Sequence, residues 1–228
     1  CGIVGFVGKQ GNKEQVLDDM MKVIVHRGPD SAGKYVNDQV ALGFRRLSII
    51  DLENGSQPMF NEDGEVGIVF NGEIYNSPEL RERFLAKGHV FKNSSDTETL
   101  IHGYEEYGEK LVHELRGMFG FAIWDNKKKR LFMARDFFGI KPVYYAIVRG
   151  NLVFASEIKS ILEFPGFKKE VNNEALEEYL SFQYSNLTET FFKGVYRLLP
   201  GHYLTYQNGE MNVTQYFDPT LEPVSKDS

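Results

Sequence analysis

The chain opens with CGIVGFV at residues 1–7, a stretch in which small and apolar residues alternate. A short apolar segment followed by the turn residues Gly8, Gly11 and Asn12 predicts a buried β-strand. Cys1 stands at the start of this strand and is the only cysteine of the chain. The segment therefore predicts a strand that presents a thiol and a free α-amino group together at one end.

Cys1 is a candidate N-terminal nucleophile. An α-amino group has an unperturbed pKa of ~7.7–8.0, so near neutral pH it can accept the thiol proton directly or through one water. The thiolate that results is the nucleophilic form of cysteine. A first residue that is Cys rather than Met predicts that an initiator Met or a propeptide has been removed. The alternative is a chain boundary that happens to fall before a cysteine.

The composition is that of a globular protein with enough apolar residues for a sizeable core. The chain has 228 residues, of which 42% are hydrophobic, and its formal net charge of −6 argues against a nucleic-acid-binding surface. A single cysteine excludes an internal disulfide framework and a cysteine-built metal site. No apolar run approaches the roughly 20 residues that span a bilayer, and no secretory signal is visible. The sequence predicts a cytoplasmic protein without a membrane or nucleic-acid partner and leaves a homo-oligomer open.

Helical periodicity predicts helices over residues 13–26, 109–115 and 173–182, with His26 ending the first. Ser77-Pro78 and the capping-box pattern Ser95-x-x-Glu98 predict two further helix starts. Alternating apolar segments predict strands at residues 1–7, 35–42, 47–51, 65–70, 118–124, 130–135, 143–148, 152–155, 203–206 and 211–216.

These elements predict an α+β fold in which two mainly antiparallel sheets pack face to face with helices outside, a four-layer α/β/β/α sandwich. The aromatic side chains predicted to lie between the sheets are Trp124, Phe132, Tyr144 and Tyr145. Residues 217–228 are rich in Pro, Ser and charge, which predicts a linker after a domain at residues 1–216.

Further motifs follow the opening segment in order. They are HRGPDSAG at 26–33, RLSIID at 46–51, NGEIYN at 71–76, SSDTE at 94–98, RDxxGxKP at 135–142, ASEIK at 155–159 and LPGH at 199–202. Together with Cys1 they resemble the class II glutamine amidotransferases, which have the N-terminal nucleophile hydrolase fold. The local motifs are most similar to the asparagine synthetase (glutamine-hydrolysing) branch, and the resemblance extends to about residue 219.

The resemblance implies that Asn71 and Gly72 form an oxyanion hole. Amide hydrolysis passes through a tetrahedral oxyanion that needs fixed hydrogen-bond donors. Asn71 can offer its side-chain NH₂, and Gly72 can offer a backbone N–H that no Cβ blocks. The alternative from the residues alone is a tight hairpin turn at Asn71-Gly72.

The same resemblance implies a pocket that recognises both ends of a free amino acid. Arg46 matches the position that binds the substrate carboxylate, for which a guanidinium is the natural bidentate partner. Asp96 matches the position that binds the ammonium group, with Glu73 nearby. Main-chain groups of Leu47, Ile49 and Ile50 are expected to line the pocket. Arg27 and Asp30 are expected to support the nucleophile without taking part in the chemistry.

The implied activity is hydrolysis of L-glutamine to L-glutamate and ammonia through a γ-glutamyl thioester on Cys1. Asparagine synthetases carry a second domain, with a Ser-Gly-Gly-x-Asp-Ser loop, that activates aspartate with ATP and Mg²⁺. This chain contains no such loop. We therefore expect a synthetase domain in cis or as a subunit to receive the ammonia, and we expect no cofactor and no metal in the present domain.

Three alternatives stay open at this stage. The domain could serve a different amide acceptor, or the same fold could act as a peptidase or acylase. The third alternative is a non-catalytic module that binds glutamine or docks a partner. Residues suited to both ends of a free amino acid argue against the second, and an intact Cys1 argues against the third.

Overall fold

The computed structural model of the chain describes residues 1–47, 56–182 and 187–220. Its strands form two antiparallel sheets of six strands each. The first sheet contains, in spatial order, β10 (Val195–Arg197), β8 (Tyr144–Val148), β9 (Asn151–Ala155), β1 (Gly2–Val7), β3 (Val40–Arg46) and β2 (Ser31–Val36). The second contains β12 (Glu210–Gln215), β11 (His202–Gln207), β7 (Arg130–Arg135), β6 (Gly117–Asp125), β5 (Val66–Ile74) and β4 (Met59–Phe60).

Helices cover the outer face of each sheet. The helices are α1 (Lys13–Lys22), α2 (Ser77–Ala86), α3 (Asp96–Tyr107), α4 (Leu111–Glu114), α5 (Ile158–Leu162) and α6 (Asn173–Phe182). Side chains of α1 and α5 pack on the first sheet, and those of α2, α3 and α4 pack on the second. A third apolar cluster fills the space between the two sheets. The predicted four-layer α/β/β/α sandwich is confirmed.

The period of two along each strand decides which layer an aromatic side chain enters. Trp124 and Tyr145 lie between the sheets, as predicted. The prediction was wrong for Phe132, which lies under the helices of the second sheet, because its neighbours Leu131 and Met133 take the inward positions of β7.

Tyr144 was also predicted to lie between the sheets, and this too was wrong. It is the residue before the inward-facing Tyr145 and packs instead in the outer layer of the first sheet. An adjacent aromatic pair on a strand necessarily divides between the two faces.

Residues 35–42 were predicted as one strand, but they contain a turn. Asn37 Oδ1 accepts the backbone N–H groups of Gln39 and Val40 at 2.8 and 2.9 Å. This Asx-type turn reverses the chain, so β2 and β3 form a hairpin. The hairpin predicted at Asn208-Gly209 is confirmed, because both residues have positive φ and join β11 to β12.

The first helix ends earlier than its periodicity predicted. α1 stops at Lys22, and a 3₁₀ turn follows over Val25–Arg27. Carbonyl groups of its last turn have partners outside the helix: Met20 O accepts from Ser160 Oγ at 2.8 Å, and Met21 O accepts from the Arg45 guanidinium at 3.3 Å.

The capping box predicted before α3 forms only in half. Ser95 Oγ accepts the N–H of Thr97 at 3.0 Å. The reciprocal contact is missing from the predicted place, because the Glu98 carboxylate accepts the N–H groups of Lys92 and Asn93 at 2.8 and 2.9 Å. Glu98 thus fixes the loop that leads into the helix rather than the cap residue itself.

The strand predicted over residues 47–51 falls mostly in residues 48–55, outside the described residues. β3 itself ends at Arg46. Within the described part of the chain, no helix is long and apolar enough to cross a membrane.

Candidate active site

Cys1 is held in place by reciprocal hydrogen bonds with Arg27. The Cys1 α-amino group donates to the Arg27 carbonyl at 2.7 Å, and the Arg27 guanidinium donates to the Cys1 carbonyl at 2.9 Å. Two residues further on, Ile3 and Ser156 exchange hydrogen bonds at 2.9 Å in each direction. These contacts fix the start of β1 at the edge of the inter-sheet core, where Cys1 is half-buried.

The surroundings of the Cys1 amine favour its neutral form. Partial burial lowers the pKa of this amino group below its usual value of 8.0, and the positive charges of Arg27 and Lys141 lower it further. A larger fraction of the amine is therefore unprotonated at neutral pH than in a free chain end. Such an amine can serve as a general base toward the thiol of the same residue.

The Cys1 thiol faces the main chain of Leu47, the residue that follows β3. The Cys1 Sγ atom lies 3.5 Å from the Leu47 nitrogen, whose N–H points at it, and 3.8 Å from the Leu47 carbonyl oxygen. An N–H directed at sulfur stabilises the thiolate relative to the thiol. Leu47 was predicted to contribute main-chain groups to the pocket, and the structure places it against the nucleophile.

Asn71 and Gly72 lie within β5, opposite Gly120 and Phe119 of β6. The alternative of a hairpin turn at Asn71-Gly72 is therefore wrong. Gly72 has φ of 153°, and a Cβ at this position would lie 2.0 Å from the Met118 carbonyl oxygen, so no other residue fits here. The glycine allows the backbone to leave regular strand geometry next to Asn71.

The side chain of Asn71 is buried at 6% exposure. Its Nδ2 atom has no hydrogen-bond partner within residues 1–47, 56–182 and 187–220. A buried amide donor without a partner costs free energy unless something else accepts its hydrogen bond. Asn71 thus presents a desolvated NH₂ group, which is what an oxyanion hole requires.

Lys141 relates the Asn71 strand to Cys1. A Cβ built on Gly120, the strand partner of Asn71, would lie 3.6 Å from the Cβ of Lys141. The charge of Lys141 also acts on the Cys1 amine. Lys141 is therefore close to the strand partner of Asn71 and acts on the charge of the Cys1 amine.

Asp96 is the first residue of α3, where the helix dipole favours a carboxylate. Its Oδ2 atom accepts the N–H of Ile74 at 2.9 Å, which fixes it beside the end of β5. Burial raises the pKa of Asp96, and the negative charge of Glu73 adds to this increase. The structure thus brings together the two carboxylates that were predicted to recognise an ammonium group.

Arg46 is the last residue of β3 and precedes Leu47. Its carbonyl accepts the N–H of Asp30 at 3.1 Å, so the supporting residue Asp30 is attached to the strand through its backbone. Ile49 and Ile50, the other two residues predicted to line the pocket, lie outside the described residues.

Comparison with known proteins agrees with this geometry. The sequence profile of the glutamine amidotransferase domain family matches residues 1–217. This chain belongs to that family. The glutamine amidotransferase domain is 44% identical to "Asparagine synthetase [glutamine-hydrolyzing] 1" of Bacillus subtilis, over 98% of the chain and 36% of the relative. It is also 39% identical to "Amidase chyE" of Penicillium rubens, over 92% of the chain and 33% of the relative.

Solved structures show the same fold at low sequence identity. The glutamine phosphoribosylpyrophosphate amidotransferase of B. subtilis superposes with a TM-score of 0.70 at 19% identity, over 95% of the present chain and 49% of the other. An allosteric regulatory enzyme of purine biosynthesis gives a TM-score of 0.73 at 18% identity, with the same coverage of both chains. The chain spans 29–37% of the length of three asparagine synthetases that it matches.

His26 was predicted to end the first helix, but in this amidotransferase domain it contacts Glu157 instead. Its Nε2 atom lies 2.8 Å from Glu157 Oε1, and Arg27 donates to the same oxygen at 3.1 Å. Lys159 also pairs with Glu157, at 3.1 Å. Glu157 therefore orients the Arg27 side chain, which donates a hydrogen bond to the Cys1 carbonyl.

Asp136 and Arg135 position the loop that carries Lys141. The Asp136 carboxylate is 1% exposed and accepts four backbone N–H groups, those of Phe119, Phe138, Ile140 and Lys141. The Arg135 guanidinium donates to the carbonyls of Gly139, Lys141 and Leu198. The two adjacent side chains thus hold the loop at both its N–H and its carbonyl groups.

No site role was predicted for Glu157, Asp136, Arg135 or Lys141. Their signal was present, since all four stand in the motifs RDxxGxKP and ASEIK that were quoted only for the family resemblance. They support the nucleophile through long-range contacts, and spacing along one chain does not reveal such contacts. None of these site residues belongs to a grouping with metal-ligand spacing in the described part of the chain.

Proposed function

We propose that the domain hydrolyses L-glutamine to L-glutamate and ammonia, with Cys1 as nucleophile and its α-amino group as base. The observation that carries this proposal is the Cys1 amine, whose pKa is lowered by burial and by two neighbouring cations, on the same residue as the thiol. No separate histidine is needed for proton transfer, because the base is already part of the nucleophilic residue.

The reaction proceeds in two halves. The thiol proton passes to the amine as sulfur bonds to the amide carbon, and the amine then returns that proton to the leaving nitrogen as the C–N bond breaks and ammonia departs. Water next attacks the γ-glutamyl thioester, giving its proton to the amine. The C–S bond breaks, the thiolate recovers the proton, and glutamate is released. Both tetrahedral oxyanions accept hydrogen bonds from Asn71 Nδ2 and the Gly72 N–H.

Substrate recognition uses the charges around the pocket. Arg46 binds the α-carboxylate of glutamine in a bidentate contact, and Asp96 with Glu73 binds the ammonium group. The pair of carboxylates supports this assignment, because a bound cation offsets both the burial and the repulsion by Glu73 that raise the pKa of Asp96. Leu47 supplies main-chain groups to the same pocket.

Ammonia release from glutamine in the absence of ATP tests this function. The protein should produce one glutamate for each ammonia, whereas Cys1→Ala should produce neither and should still bind glutamine in a calorimetric titration. A peptidase or acylase would instead release product from a glutaminyl peptide and not from free glutamine. Unaltered ammonia release by Cys1→Ala would contradict the mechanism.

For the whole protein we propose glutamine-dependent asparagine synthesis. The relatives named asparagine synthetases are 39–44% identical, and the chain covers only 29–37% of their length, which leaves room for a synthetase domain in them. ATP and Mg²⁺ would act in that domain, and ammonia would pass to it to amidate activated aspartate. We place this activity in the cytoplasm, where the catalytic thiol stays reduced.

A different amide acceptor is the second candidate function. It is favoured by the relatives named amidases, at 39% identity in P. rubens and 38% in Gibberella zeae. Asparagine formation from aspartate, ATP and glutamine by the protein joined to its synthetase part decides between the two. The expected result is asparagine in proportion to the glutamine consumed, and glutamine consumption without asparagine would favour the other acceptor.

A further inference from the structure

Two histidines and a glutamate form a compact cluster on the outer side of the second helical layer. His102 and Glu105 lie three residues apart on one face of α3, and His89 comes from the segment between α2 and α3. His102 Nδ1 lies 3.1 Å from His89 Nδ1 and 3.0 Å from Glu105 Oε2. The third side of this triangle, from His89 Nδ1 to Glu105 Oε2, is 3.7 Å.

The triangle has the size of one face of a tetrahedral metal site. Zinc binds imidazole nitrogen and carboxylate oxygen at ~2.0–2.2 Å, which puts neighbouring ligand atoms of a tetrahedron about 3.3 Å apart. The observed separations, 3.0 to 3.7 Å, lie on both sides of that value. Two imidazoles and one carboxylate are also a donor set that zinc uses where a fourth position is left to water.

Neighbouring side chains leave His89 Nδ1 and Glu105 Oε2 available to a metal ion. Glu106 Oε1 lies 2.8 Å from His89 Nε2, which places the hydrogen of the neutral imidazole on Nε2 and leaves the lone pair on Nδ1. Asn61 donates to Glu105 Oε1 at 2.6 Å, which leaves Oε2 for the cluster. Partners of this kind, carboxylates on the far nitrogen of a histidine and hydrogen bonds to a carboxylate, characterise metal ligands in proteins.

A proton explains this arrangement less well than a metal ion does. The His89 Nδ1 and Glu105 Oε2 atoms are both acceptors, so one proton on His102 Nδ1 would have to be divided between two diverging contacts. His102 is 1% exposed, and its Nε2 has no hydrogen-bond partner within the described residues. The nearest charges to Nε2 are carboxylates of Glu62 and Glu98, at 3.8 and 3.9 Å. They favour a hydrogen on Nε2 and therefore a lone pair on Nδ1.

We propose that His89, His102 and Glu105 bind a divalent transition-metal ion, for which Zn²⁺ fits the donor set best. Together with the ligand Glu105, the three surrounding glutamates at 62, 98 and 106 supply a negative potential that attracts such an ion. The side chains of His89 and Glu105 are 15% and 25% exposed, which gives the ion a path from solvent. The ion would tie the segment before α3 to the helix whose first residue is Asp96. No metal was predicted from the sequence, because a single cysteine excludes only a cysteine-built site.

Zinc titration of the chelator-treated protein tests the proposal. The Cys1 thiol and amine can themselves bind metal, so the titration is done in Cys1→Ala, and binding is the readout whether or not the domain hydrolyses glutamine. We expect one zinc per chain and a higher Tm with zinc. Glu105→Gln and His89→Ala should each lose most of this binding, while His113→Ala, an exposed histidine on α4, should retain it.

The zinc affinity of Glu106→Gln distinguishes a metal site from a purely structural cluster, and we expect it to be lower than that of the parent. Removing an outer partner of a metal ligand typically lowers affinity by about 10–100-fold without changing the ligands themselves. Cobalt in place of zinc should give visible absorption that disappears in Glu105→Gln. Circular dichroism confirms that each variant is folded. Absence of zinc binding, or zinc binding by the Glu105→Gln and His89→Ala variants as tight as that of their parent, would overturn the site and leave a proton-linked ion-pair cluster.

Discussion

At the scale of single residues, Asn71 separates chemistry from binding. One oxyanion donor is typically worth ~2.7–4 kcal/mol in the transition state, so Asn71→Ala should lower kcat by about 10²–10³-fold with little change in KM. Gly72 would still donate its backbone N–H, so a residual rate should remain. Steady-state glutamine hydrolysis measures both parameters, and Asn126→Ala in the distant β6–β7 turn is the control. Parental turnover in Asn71→Ala would mean that its buried amide has another role.

A change at Arg46 should affect KM more than kcat, the opposite of a change at Asn71. A lysine keeps the charge at this position but cannot make the bidentate contact with a carboxylate. Arg46→Lys should therefore raise KM for glutamine more than it lowers kcat, because carboxylate recognition is the same in the ground state and the transition state. Steady-state kinetics with glutamine again gives the answer. An unchanged KM would remove Arg46 from the pocket.

The pH dependence of the reaction reports the Cys1 amine. Only the unprotonated amine can act as base, so kcat/KM should rise with pH through a pKa below 8.0. Lys141 disfavours the ammonium form, so its removal should raise that pKa. We expect the acid limb of the profile to shift to higher pH in Lys141→Met. Lys129→Met, in the β6–β7 turn, should leave the limb in place, and an unshifted limb in Lys141→Met would argue against this electrostatic role.

At the scale of elements, the loop after β7 depends on one buried carboxylate. Asp136→Asn replaces an acceptor of four backbone N–H groups by an amide that brings two donors of its own. Hydrogen bonds to a charged group contribute ~1.5–3 kcal/mol, so we expect a loss of about this size in the free energy of unfolding. Denaturant unfolding measures it. Asp63→Asn, on an exposed turn, is the control and should cost much less.

The sequence predicted elements well where the pattern is local. The strand over residues 130–135 and the hairpin at Asn208-Gly209 follow from alternation and turn chemistry alone. The prediction failed where a partner distant in the chain decides. α1 stops at Lys22, where Ser160 and Arg45 donate hydrogen bonds to carbonyl groups of its last turn. The apolar periodicity of the helix does not show these contacts.

The same distinction holds for the site. Cys1, Asn71 and Asp96 could be named because each stands in a compact motif with its own chemistry. Glu157 supports Cys1 through Arg27, 130 residues away in the chain, and a pattern along the sequence does not show that contact. The unusual φ of Gly72 was likewise invisible, since NG predicts a hairpin turn as readily as a glycine inside a strand.

At the scale of the whole molecule, the atoms that stabilise the fold differ from those that carry out the chemistry. The apolar layers between the sheets and under the helices hold the sandwich together, and the Cys1 amine contributes to none of them. The amine is attached instead through a hydrogen bond to the Arg27 carbonyl. A change confined to the amine should therefore alter activity without altering the fold.

A chain that retains a methionine before Cys1 makes that change. Its Cys1 nitrogen becomes an amide, which cannot accept a proton near neutral pH, and the added residue occupies the space beside the thiol. We expect the Tm to stay close to that of the mature chain while glutamine hydrolysis falls to background. Mass spectrometry establishes which form is present, and removal of the methionine by an aminopeptidase should restore the rate in the same sample. Hydrolysis at the mature rate by the extended chain would show that another group is the base. In that case Lys141 and Arg27, the two cations beside Cys1, would stabilise a thiolate formed by proton loss to water.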